Sequence, residues 1–116
     1  MPYIITTTGP RHVPFDDGDY IDGTETTRIA VATLEEARDV VTGIVEEREP
    51  FSHKVQETAG SNLSAMRESG GTVGPLPDGT VIEVRAVAWQ DLAPWPQPTD
   101  PPYRADIIAA FNGAHA

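Results

Sequence analysis

Cysteine is absent from the 116 residues, which excludes a disulfide framework, a thiolate metal site and a cysteine nucleophile. Positive charge is nearly as scarce. Eight bases, of which Lys54 is the only lysine, stand against eighteen acids. The resulting net charge of −10 argues against a nucleic-acid backbone as partner. There is no run of 18 apolar residues, so no membrane-spanning helix is expected and no membrane partner follows. The opening residues 1–8 have neither the basic region nor the apolar stretch of a signal peptide, and the expectation is a cytoplasmic protein. Aromatics are few, with three Phe, three Tyr and two Trp, so where they fall matters.

What is present is one domain's worth of alternating and helical pattern. Residues 3–8 are β-branched and aromatic and end at Gly9-Pro10, which reads as a strand. Residues 10–26 hold acids, glycines and prolines without periodicity and read as a long acidic loop. Residues 27–32 read as a second strand. Thr33-Leu34-Glu35-Glu36 is then a capping box, and Leu34, Ala37, Val40, Val41, Ile44 and Val45 make one helical stripe over 34–48. Pro50 ends that helix. Ser52 caps a second helix, over about 53–69, whose buried side carries Val55, Ala59, Leu63 and Met66 and which ends at Gly70-Gly71. Residues 72–74 pair back as a short arm, Pro77-Asp78-Gly79 makes a tight turn, and 80–88 alternate as a strand suited to helices on one side only.

The class is therefore α+β: a small, mainly antiparallel sheet of three or four strands with two helices on one face. Residues 1–93 form the domain. Residues 94–102, with five prolines, form a stiff connector, and 103–116 carry a C-terminal amphipathic helix near 103–112 that closes at Asn112-Gly113.

Reactive constellations are missing. His12, His53 and His115 show no metal-ligand spacing, no serine lies in a nucleophile elbow, and the glycine-rich run 70–79 lacks the lysine of a phosphate loop. Asp16, Asp17, Asp19, Asp22 and Glu25 form the densest acidic patch. They miss the calcium-loop pattern, because Ile21 stands where a ligand is needed and Asp22 where the turn glycine is needed. The ordinary reading of these acids is a solvated turn region, with calcium binding or mimicry of DNA as the alternative use. A small enzyme or ligand-binding domain is another, marked by a polar pocket that brings His12 or His53 beside a carboxylate.

Trp95, Tyr103, Ile107, Ile108 and Phe111 hold much of the large apolar surface. They are the expected partner-binding residues: the helix either folds back on its own domain, joins a second copy as a homodimer, or enters a partner's groove. The leading expectation is a non-catalytic accessory protein, without cofactor or metal, that acts by binding a host, viral or identical protein.

The capped-helix run 33–39 and the segment Gly70-Gly71-Thr72-Val73-Gly74-Pro75-Leu76-Pro77-Asp78-Gly79-Thr80-Val81-Ile82-Glu83-Val84 resemble small uncharacterised proteins of actinobacteria and their phages, over about residues 28–92. The arginine-for-lysine bias and the abundance of Ala, Pro and Gly fit that source. The resemblance implies a phage or accessory-gene setting and carries no activity.

Overall fold

The computed structural model describes residues 2–10, 23–92 and 104–114. It is an α+β fold. The strands are β1 (Tyr3–Pro10), β2 (Thr24–Val31), β3 (Gly70–Val73) and β4 (Val81–Ala86). The helices are α1 (Leu34–Arg48), α2 (His53–Ser64), the single turn α3 (Trp89–Leu92) and α4 (Arg104–Ala114). The sheet order is β2-β1-β4-β3 and every neighbouring pair is antiparallel.

Alternation along β1 explains the layers. Tyr3, Ile5 and Thr7 are buried, and the residues between them are half-buried. Tyr3 and Ile5 join Ile82, Val84 and Val73 in a core closed by Ala37, Val41 and Val45 of α1 and Ala59 and Leu63 of α2. The helical stripe of α1 thus faces the sheet as its spacing requires. Thr33 caps α1 by accepting from the Glu36 N–H at 3.1 Å, a contact type worth about 1 kcal/mol. The Glu36 carboxylate reaches back to the Ala32 N–H at 3.4 Å, one residue beyond the usual box partner. Ser52 caps α2 through the Val55 N–H at 3.4 Å.

Several boundaries differ from the sequence reading: β1 runs on to Pro10, β3 takes in Gly70-Gly71 and β4 covers only Val81–Ala86, and three further differences have an identifiable cause or consequence. β2 begins at Thr24, so the end of the expected loop is strand. The β1 pairing continues to Pro10↔Thr24, and threonines 24 and 26 suit the ladder. α2 stops at Ser64, with Ala65 as its C-cap, although the apolar spacing continues to Met66. Arg38 of α1 supplies the reason: its Nε donates to the Leu63 carbonyl at 3.1 Å and its Nη2 to the Met66 carbonyl at 3.2 Å. These carbonyls point out of the helix end and are satisfied there by a cation. The Arg67↔Gly70 bridge then turns the chain into β3 while Met66 stays buried. Finally, α4 runs through Asn112-Gly113 to Ala114 and does not close there.

The opposite face of the sheet is covered at one end. Ile4 and Ala30, which alternate with the core-facing residues, pack with Val87, Leu92 and Phe111, and Ile107, Ile108 and Trp89 flank them. The two long helices α1 and α2 thus share one face, as expected, and the C-terminal helix α4 lies on the other. A two-residue contribution from β1 and β2 is too short a stripe to announce a second layer from sequence.

Candidate functional site

β2 is an edge strand, and its two ends are treated differently. At its C-terminal end the side-chain amide of Asn112 takes both backbone groups of Ala30. The Ala30 N–H donates to Oδ1 at 2.7 Å and Nδ2 donates to the Ala30 carbonyl at 3.1 Å. In an antiparallel ladder, backbone groups point alternately toward and away from the neighbour. Ala30 points away from β1, and so do Arg28, Thr26 and Thr24. Among the described residues these three have no backbone partner on that outer side. Thr24 to Arg28 are all exposed.

A groove of about 940 Å³ runs beside this stretch, between β2 and the C-terminal half of α1. Its apolar lining is Pro10, Ile29 and Ile44. Its charged lining is Glu25, Arg28, Glu47, Arg48 and Asp78, and Thr7, Thr27 and Asn112 complete the polar part. The antiparallel strand pairing and the path of α1 place Ile29 and Ile44 toward one end and Glu25 and Arg48 toward the other.

Arg48 and Asp78 form the only ion pair among the described residues, with Nη1 to Oδ2 at 3.4 Å. Asp78 Oδ1 also accepts from the Thr80 N–H at 2.9 Å, which fixes the expected tight turn. Burial opposes ionisation of Asp78. The Thr80 hydroxyl, the Thr80 N–H and the Arg48 guanidinium outweigh it and hold the carboxyl below its ordinary value. The Thr80 hydroxyl itself is fully buried and has no partner at hydrogen-bonding geometry among the described residues. Glu25, Glu47 and Arg28 carry no ion pair there.

A smaller groove of about 370 Å³ lies between α2 and the turn that holds the cis Gly74-Pro75 peptide. It is mostly apolar, and Lys54 is the single charged residue lining it among the described residues. Phe51, at the turn between α1 and α2, is 96% exposed and is the one exposed large apolar side chain among the described residues.

Of the expected partner-binding residues, Phe111 is buried and Ile107 and Ile108 are half-buried against this chain's own sheet. In this arrangement they hold α4 in place. Trp95 and Tyr103, the connector 94–102, and Asp16, Asp17, Asp19 and Asp22 lie outside the described residues, as do His12 and His115. Glu25 is the one member of the acidic patch within them, and it lines the larger groove. His53 is exposed on the first turn of α2 and lines neither groove. Among the described residues no group of three His, Asp or Glu could hold a metal ion, and no helix is long and apolar enough to cross a membrane.

Sequence reading missed Asn112, Arg48 and Asp78 as members of one region. Asn112 reads locally as a helix end, Arg48 as a favourable charge in a last turn and Asp78 as a turn former. Each local role is sound, and none announces the long-range contact. Comparison with family models, with curated proteins and with solved structures finds no match to this chain.

Proposed function

We propose that this is a non-catalytic accessory protein that acts by binding another protein, accepting an extended segment of it along the outer edge of β2. The observation that carries the reading is the exposed, outward-facing backbone of Thr24 to Arg28 beside a groove with both apolar and charged lining. Strand addition to such an edge uses main-chain hydrogen bonds for affinity and alternate side chains for selectivity. The accessory setting, in a phage of an actinobacterium, rests on the resemblance over residues 28–92. This reading moves the binding surface from the C-terminal helix to the strand that the helix secures.

The test is a selection of random-sequence peptides on the full chain, followed by amide exchange on the complex. Peptides that bind the edge slow exchange at Thr26 and Arg28 and fail to bind a Thr26→Pro variant, which lacks one outward N–H but no ladder bond to β1. Selection of no peptide, or of peptides that protect other amides only, overturns the reading.

A further inference from the structure

Resting on the edge-binding reading above, we infer that the segment β2 accepts is cationic: an extended stretch with an apolar residue set beside Ile29 and Ile44 and a Lys or Arg four positions along, beside Glu25 and Glu47.

The spacing follows from the pleat. Side chains of an added strand alternate between faces, so residues opposite Ile29 and Glu25 share a face and are four apart. That face is the one toward α1, where the groove is lined by Ile29 and Ile44 and, four residues along β2 and three along α1, by Glu25 and Glu47, with Arg48 next to the latter in sequence. Arg48, on the same side, is already neutralised by Asp78 at 3.4 Å. Glu25 and Glu47 have no such partner among the described residues, so the unbalanced charge of this side is negative. By register Arg28 alternates with these residues, on the face of Ala30, yet its side chain also lines the groove and offsets one of the two carboxylates, which leaves an excess of one negative charge. The chain's net charge of −10 acts in the same direction at longer range. It favours a cationic guest and opposes a second copy of this chain, which brings ten further negative charges to the same edge.

The experiment uses the full chain and three short peptides of one alternating Val/Thr design, with the charged positions set to Lys, Gln or Glu. Binding is read by fluorescence anisotropy at low and high salt, with amide exchange at Thr26 and Arg28 as the marker of location. The expected result is that the Lys peptide binds about tenfold more tightly than the Glu peptide, with Gln between them. That advantage shrinks as salt rises and in a Glu25→Gln/Glu47→Gln variant. If the Gln or Glu peptide binds as tightly while protecting the same amides, the charge inference falls and edge binding stands. If no peptide protects Thr26 and Arg28, edge binding falls as well. Protection of these amides in the free chain, whether it forms dimers or stays monomeric, names this chain itself as the occupant and overturns the inference.

Discussion

Asn112 and Ala30, 82 residues apart, are joined by two hydrogen bonds in which a side-chain amide does the work of a neighbouring strand. Ala30 is almost wholly buried, so its backbone groups cannot turn to water if the amide is lost. Asn112→Ala is expected to destabilise the fold by about 1–3 kcal/mol, read by urea unfolding, and to speed exchange at the Ala30 amide. Asn112→Asp keeps the acceptor for the Ala30 N–H but has no donor for the carbonyl. Its loss near neutral pH should be partly regained below about pH 4, where the carboxyl carries a proton to donate.

Gly9 lies against the Thr80 hydroxyl so closely that an added Cβ would overlap Thr80 Oγ1 and come within 3.2 Å of Arg48 Nη1. Thr80 is fully buried and cannot swing away. Gly9→Ala should cost about 1–3 kcal/mol in urea unfolding. Combined with Thr80→Ala, which removes the overlapping oxygen, the total should be smaller than the sum of the two single effects. Thr80→Val, which removes the hydroxyl that helps hold the Asp78 carboxyl below its ordinary value, should bring that carboxyl back toward it and lower stability near pH 7.

The Asp78 carboxyl is held below its ordinary value in the folded chain, so the unfolded chain binds its proton first as pH falls. Its stabilising contribution is therefore present above about pH 4 and lost as pH drops through the lower, folded value. Asp78→Asn should lower stability near pH 7 and flatten the acid side of the wild-type stability profile below about pH 4. Thermal unfolding across that window measures both, and an unchanged profile would contradict the assignment.

Arg38 ties the start of α1 to the end of α2 through the Leu63 and Met66 carbonyls. Arg38→Ala should cost about 1–3 kcal/mol, since each carbonyl loses a charged donor. Arg38→Lys should recover only part of that loss, because a single ammonium cannot reproduce the spread of two guanidinium nitrogens. Fraying of 61–66, seen as faster amide exchange, should accompany both variants.

The pattern of these contacts explains what could be read from the chain alone. The capped stripe of α1, the Ser52 cap and the Asp78 turn are local, with cause and effect within a few residues, and they appear in the structure where their spacing placed them. The end of α2 was misplaced because a guanidinium 25 residues earlier in the chain satisfies its last carbonyls. The second layer under α4 was hidden because it depends on only Ile4 and Ala30 from the strands at that end. The groove was hidden for the same reason: Glu25, Arg48 and Asp78 come from three segments, and nothing in any one of them announces the other two.

The opposite border of the sheet is built differently from β2. β3 has four residues, begins with two glycines and is followed closely by Pro75 and Pro77. Such a stub offers little for a further strand to continue on. A sheet with two long open borders invites end-to-end polymerisation, whereas this one has a terminus on its far side. On the proposed reading, docking at β2 would complete a finite complex of one guest per chain and give no seed for a fibre.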